Sequence, residues 1–203
     1  MILATIVLLA LSQVGHATFK GKRFLGKDHD MLVAFKVRTA DDLLAGSNSN
    51  ISFSFGYVNE LTDKLVYHHE SVEFRNGKNH FEKKQLDSFR DMLNGWRYSK
   101  VETACAEQST KAAEYTKCLT HPNIVFINVQ NNKLIDLNAD WMLDNIIVTI
   151  TIRSKKGTKV TGTSHFVAEN KWIKTKKYYL RSSESSARMP VREGAPFNGK
   201  SFP

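Results

Sequence analysis

Much of what announces catalysis or membrane passage is absent from this chain. Cysteine occurs only at positions 105 and 118, too few for a multi-bridge scaffold, and the C-x-x-C spacing of thiol redox chemistry is missing. No later stretch approaches the roughly 20 apolar residues that a membrane-spanning helix needs. There is no P-loop and no G-x-G-x-x-G. The nearest approach to a hydrolase elbow, Gly162-Thr163-Ser164-His165-Phe166, lacks the second glycine. Seven histidines are scattered without an H-x-x-x-H pair, and the adjacent His68 and His69 would face opposite sides of a strand, so one metal cannot take both from one face. Zinc and iron centres, nucleotide-fold enzymes and thiol catalysts are therefore disfavoured, and no catalytic centre is expected.

What is present starts with a leader. Residues 1–17 hold an apolar run from Ile2 to Leu11 followed by small residues, with Gly15 and Ala17 placed for cleavage. That is the pattern of a secretory signal peptide, so the mature chain is expected to be soluble, secreted and extracellular. In an oxidising compartment Cys105 and Cys118 then predict a single structural disulfide. With 41% hydrophobic residues and 12 phenylalanines, one domain can bury a sizeable core without further bridges. The net charge of +9 belongs entirely to the chain beyond the leader, which favours contact with anionic surfaces, glycans or phosphates without choosing among them.

Period-2 alternation dominates from Leu32 onward. Leu32 to Val37 predicts a strand, and residues 50–58 predict another, with Ile51, Phe53 and Phe55 on one face and Ser52 and Ser54 on the other. Residues 64–74, 123–129, 141–152, 158–167 and 170–180 continue the series of short β-rich runs. Turn signals fall at Ala45–Asn48 and at Asn76-Gly77. The fold class predicted is all-β, an antiparallel β-sandwich over residues 32–174, with residues 18–31 as a lead-in. One insertion, about residues 94–121, is rich in Ala, Glu and Lys and predicts a short helix tied by its two cysteines. Residues 175–203 predict a basic, disordered tail. Between residues 171 and 203 there are eight Lys or Arg against Glu184 and Glu193.

Carboxylates near predicted turns (Asp41, Asp42, Glu82, Asp87 and Asp140) could converge on a hard cation or simply be solvated loop ends and strand caps. Asn50-Ile51-Ser52 is a glycosylation sequon, and Asn50 serves equally well as a turn residue.

Four motifs, in order, resemble the signatures of the PLAT (LH2) domain, a β-sandwich module of lipoxygenases, pancreatic-type lipases, some bacterial phospholipase toxins, polycystins and free-standing secreted proteins. They are Thr39 with Ala45-Gly46-Ser47 and the strand at Ile51; Phe81-Glu82 with Asp87-Ser88-Phe89; Asp140-Trp141 with its following strand; and the aromatic strand ending at Trp172. Together they span residues 32–173. The helical insertion and the basic tail fall outside the resemblance.

The resemblance implies that loops at one end of the sandwich bind lipid and, in some members, Ca²⁺. It assigns Leu43, Leu44, Leu134, Ile135, Leu137 and Trp172 as lipid-facing positions and Asn79, Glu82 and Asp140 as calcium ligands. Calcium-binding members carry acids where this chain has Asn48, Ser49 and His80, and a site with fewer carboxylates binds Ca²⁺ more weakly. Trp141 and Trp172 also suit core or edge packing, and Leu43-Leu44 could pack beneath the loop instead of standing out from it. The function expected is a non-catalytic module attaching peripherally to membrane or lipid surfaces. The alternative is a protein or acidic-glycan partner held by the sandwich and basic tail. No nucleic acid partner is expected.

Overall fold

The computed structural model describes residues 29–47, 49–74, 80–130, 140–154, 157, 159–174, 177–182 and 192–193. The leader, Asn79, the three residues Leu134, Ile135 and Leu137, and most of the basic tail lie outside them. The strands are β1 (His29–Thr39), β2 (Asn50–Asn59), β3 (Lys64–Phe74), β4 (Leu86–Leu93), β5 (Ile124–Gln130), β6 (Trp141–Ser154), β7 (Lys159–Ile173), β8 (Lys177–Arg181) and β9 (Arg192–Glu193). They form two antiparallel sheets, ordered β4-β1-β6-β7 and β3-β2-β5-β8-β9. The expected β-sandwich is what the chain builds.

Alternation explains the layering. Met31, Val33, Phe35 and Val37 of β1 and Ile51, Phe53 and Phe55 of β2 turn inward and are buried, while Lys36 and Arg38 point out. The two inner faces meet through aromatic rings: Phe35 lies 6.0 Å from Phe53, and Trp141 lies 6.2 Å from Phe53. Such tilted and edge-on pairs add roughly 0.5–1.5 kcal/mol each beyond area burial.

The registers decide which loops meet. Arg38 pairs with Leu86, Thr39 with Leu143 and Trp141 with Ile173. The end of β1, the starts of β4 and β6 and the end of β7 therefore share one edge of the four-stranded sheet. Asn50 pairs with Gln130 and Asn128 with Lys177, placing the start of β2, the end of β5 and the start of β8 together in the other sheet. The β1–β2 connection joins these edges, so four connections converge at one end of the sandwich.

At the opposite end sits the insertion. It forms two helices, α1 (Gly95–Gln108) and α2 (Ala112–Thr120), where the sequence predicts one. The break has a local cause: Ser109 donates its hydroxyl to the Cys105 carbonyl (2.7 Å), and Glu114 accepts from the Thr110 hydroxyl and the Thr110 and Lys111 N–H groups. These side-chain bonds end one helix and start the next. The Cys105–Cys118 disulfide joins the two helices. Tyr98, Val101, Cys105, Tyr115, Cys118 and Leu119 are part of the main core, so the helices close the sandwich. At Gly162 of β7 a Cβ would stand 2.5 Å from the Thr120 carbonyl oxygen, and only glycine permits that approach. Because the bridge closes a short loop, replacing both cysteines by alanine is expected to cost about 3 kcal/mol in reversible denaturation. A loss below about 1 kcal/mol would show that helix packing alone holds the cap.

The sandwich also extends beyond residue 174. β8 lies within the segment assigned to the tail, and Tyr178, Tyr179 and Leu180 are buried. β9 adds a short rung, Tyr179 opposite Arg192. This strand belongs to the β-rich run predicted at 170–180, which the boundary at 174 divides; its middle three residues cover the core, and Tyr178 accepts a hydrogen bond from the Lys174 N–H at 3.0 Å. Disorder in the remaining tail concerns residues outside those described. Among the described residues, no helix is long and apolar enough to cross a membrane.

Candidate functional site

The loop end is built on two stitched connections. The Ala40 N–H donates to the Met142 carbonyl (2.9 Å), and the Met142 N–H donates to the Ala45 carbonyl (3.0 Å). Ala40 and Ala45 are buried against Met142. With its base fixed to β6, the chain closes a turn from Asp42 to Ala45 (3.3 Å). Leu43 and Leu44 project from this turn, 75% and 68% exposed. Leu44 has φ 63°, a left-handed conformation that costs a residue with a Cβ about 1–2 kcal/mol. The strain is held by the hydrogen bonds on either side.

The segment 80–85 braces this turn from beside it. The Ser47 N–H donates to the Phe81 carbonyl (3.2 Å), the Lys84 N–H to the Ala40 carbonyl (3.1 Å) and the Thr39 N–H to the Gln85 carbonyl (3.0 Å). A Cβ at Gly46 would lie 3.2 Å from the Phe81 carbonyl oxygen and 3.4 Å from the Glu82 Cα, which accounts for glycine in Ala45-Gly46-Ser47. Asp41 pairs with Lys84 at 2.7 Å and with Lys83 at 3.6 Å. The hydrogen-bonded Lys84 ammonium holds the Asp41 carboxyl below the ordinary carboxylate range. A depressed value contributes stability above the ordinary range that is lost as pH falls through the depressed value. A carboxyl-detected NMR titration should therefore place the Asp41 midpoint below that of a free aspartate, and Lys84→Ala should raise it. An unchanged midpoint would remove the ion pair from the description.

Beneath the surface, Asp87 organises the same segment. It is 4% exposed and accepts from the Phe81 N–H (2.8 Å), the Gln85 side-chain amide (3.0 Å) and His80 Nδ1 (2.9 Å). Gln85 Oε1 in turn accepts from the Glu82 N–H at 2.9 Å. This network holds Phe81 and Lys84 in left-handed backbone, φ 60° and 62°, and presses the fully buried Phe81 ring to within 5.1 Å of Trp141. Trp141 is core, with its indole N–H donating to the Thr39 hydroxyl at 2.9 Å. Thr39, Phe81, Asp87 and Trp141 thus form one buried support beneath the loops.

Trp172 differs from Trp141. It lies near the end of β7 opposite Met142 and is 38% exposed. The β6–β7 register shifts between Leu143 and Asn145, and Glu169 and Asn170 on the longer side are left-handed. A bulge of this kind re-aims the strand that follows it.

Every lipid, metal and glycosylation position predicted from the sequence and described by the structure lies at this end, while the predicted Cys105–Cys118 bridge sits in the insertion at the other. Leu43, Leu44 and Trp172 are exposed or part-exposed, Glu82 is exposed and Asp140 half-buried, and Asn50 begins β2. Leu134, Ile135, Leu137 and Asn79 fall outside the described residues. Among the described residues, no group of three or more His, Cys, Asp or Glu side chains is placed to hold a metal ion. Asp41 is neutralised by lysine, and Lys83 and Lys84 place positive charge at the same loop edge. That environment suits an anion better than Ca²⁺, which wants about six to eight oxygens, several of them carboxylates. Sequence reasoning missed Asp87 as a buried support, the paired lysines and the exposed Leu86 at the start of β4. The Lys-Lys dipeptide before Gln85 was the one visible signal.

No protein-family model and no curated protein matches the chain. Among solved structures it is similar to a LOX deletion variant, with TM-score 0.47 and 11% identity over 76% of this chain and 17% of that one. It is also similar to coral 8R-lipoxygenase, described as calcium-activated through a C2-like domain, with TM-score 0.44 and 12% identity over 75% of this chain and 17% of that one. A third is alpha toxin from Clostridium absonum, with TM-score 0.43 and 16% identity over 76% of this chain and 32% of that one. The chain thus spans less than a third of the length of each of these proteins.

Proposed function

We propose that this chain is a secreted, non-catalytic, PLAT-like binding module that attaches peripherally to anionic lipid surfaces through its loop end. The observation that carries the reading is the Asp42–Ala45 turn. Two adjacent leucines stand exposed, Leu44 on left-handed backbone that its neighbours brace, beside Lys83 and Lys84. Apolar tips enter the acyl boundary while nearby lysines each contribute up to about 1 kcal/mol against a strongly anionic leaflet. Four PLAT-like motifs in order, at positions with a structural reason for each, support the family assignment. The leader pattern and the Cys105–Cys118 bridge support secretion. Trp172 and the apolar residues at 134, 135 and 137 would widen the contact, and a glycan on Asn50 would stand beside it.

The experiment is co-sedimentation with neutral and anionic liposomes, with Ca²⁺ and with chelator, comparing the wild type and the Leu43→Ser, Leu44→Ser double variant. Binding to anionic vesicles that depends on the leucines supports the reading. Loss on chelation would assign Glu82, Asp140 and Asn79 to a cation despite the lysines. Binding indifferent to the leucines sinks it.

A further inference from the structure

The helical insertion builds a second feature, away from the leucine turn. A cleft of about 520 Å³ lies between the start of α1 and β3, within the size range of small-ligand sites. Tyr67, His68 and His69 line it from the strand, and Trp96, Arg97 and Lys100 from the helix.

Trp96 has no packing duty that explains it. The helix buries Tyr98, Val101, Glu102 and Cys105 against the sandwich, whereas Trp96 is 68% exposed. Lys100, one turn on, holds its ammonium 4.6 Å from the centre of the indole ring, a cation–π arrangement that orders both side chains. Arg97 is also positioned: its Nη2 donates to His69 Nε2 at 3.0 Å and lies 3.4 Å from Asp91 Oδ2. His68 Nε2 lies 2.8 Å from the Ser54 hydroxyl. The lining therefore joins an exposed flat aromatic surface to the Lys100 ammonium and to an Arg97 guanidinium that is ion-paired with Asp91 behind it.

That combination has a chemical counterpart. A pyranose ring offers a C–H face that lies on an indole, and a ring bearing a carboxylate or sulfate adds the charge that Lys100 and Arg97 complement. We propose that this cleft binds an acidic glycan, with the ring of a uronic or sulfated sugar replacing the Lys100 ammonium over Trp96 and the released Lys100, with Arg97, turning to its anionic group. The site is separate from the lipid-facing loops and does not depend on them.

The test uses the full chain and a heparin hexasaccharide, measured by calorimetry and indole fluorescence, with a neutral hexasaccharide and inorganic sulfate at matched concentration as controls. Trp96→Ala and Lys100→Gln alter exposed side chains outside the core. The hexasaccharide should bind where the neutral sugar and free sulfate do not. Trp96→Ala should weaken it by about 10-fold and remove the fluorescence change, and Lys100→Gln should weaken it and flatten its salt dependence. Anionic-vesicle binding should be unchanged in both variants. Equal hexasaccharide affinity in wild type and both variants would place the glycan elsewhere, such as the basic C-terminal segment, and overturn the proposal. So would equal binding of inorganic sulfate, absence of hexasaccharide binding, or a parallel loss of vesicle binding in Trp96→Ala.

Discussion

Replacing Leu43 and Leu44 together by serine is expected to weaken binding to anionic vesicles about 10- to 100-fold while leaving thermal stability nearly unchanged. Full burial of a leucine is worth roughly 1.5–3 kcal/mol, and tips that enter only the interfacial zone realise about half of that, so the pair contributes about 1.5–3 kcal/mol. Both side chains are exposed in the folded chain, and their loss leaves no cavity. Leu44→Gly separates strain from contact. Glycine relieves the left-handed backbone at φ 63°, a gain of about 1 kcal/mol that is offset by a similar loss of unfolded-state restriction. That variant should melt near the wild-type temperature yet bind vesicles about 3- to 10-fold more weakly. High salt should weaken what the lysines add and spare what the leucines add. A double variant within twofold of wild type would mean that the leucines do not touch lipid and that the exposed turn has some other use.

The frame of this site was legible because period-2 alternation is a direct consequence of strand geometry. β1 and β2 could be read face by face, down to the inward set Ile51, Phe53 and Phe55. The bridge was legible because two cysteines allow one intramolecular pairing. What escaped were positions where a local rule is overridden by packing. Asp87 points inward from β4 between outward Leu86 and Ser88, reversing the usual polarity of the pattern, so the strand's start looked like a turn with a solvated acid. Leu44, Phe81 and Lys84 adopt left-handed backbone with no glycine to signal it. The β-rich run at 170–180 contains β8, and only the boundary drawn at 174 cuts through it. The leucine turn is fixed by Met142 and Lys84 by Ala40, far along the chain, whereas Asp87 is held by His80, Phe81 and Gln85, near in sequence but brought onto one carboxylate only by the path of their loop. Two of these exceptions, Leu44 and the Asp87 network, lie at the loop end, where backbone strain and a buried charge persist because surrounding structure fixes them.

Asp87 is consequently the position whose loss should be felt most. Asp87→Ala removes the acceptor for the Phe81 N–H, the Gln85 amide and His80. Hydrogen bonds to a carboxylate are worth roughly 1.5–3 kcal/mol each, and the Phe81 N–H would be left buried without its acceptor. With some relaxation, the expected loss is about 4 kcal/mol, a fall in melting temperature of about 8–16 °C for a chain of this size. Asp87→Asn should recover part of it, since the amide oxygen still accepts from Phe81 while the amide nitrogen faces partners that must reorient. The functional consequence follows from the stitching. Phe81 accepts from the Ser47 N–H, and Lys84 is bonded to Ala40, so a slack 80–85 segment releases the leucine turn from its brace and moves Lys83 and Lys84 away from it. Asp87→Ala should therefore lose vesicle binding at temperatures well below its own melting point, with both leucines and both lysines still present. If the variant loses less than about 1 kcal/mol, the buried network is not what holds the segment. If it loses stability as expected but binds vesicles as well as the wild type, the contact needs only the leucines' exposure, and the bracing of the turn serves the fold alone.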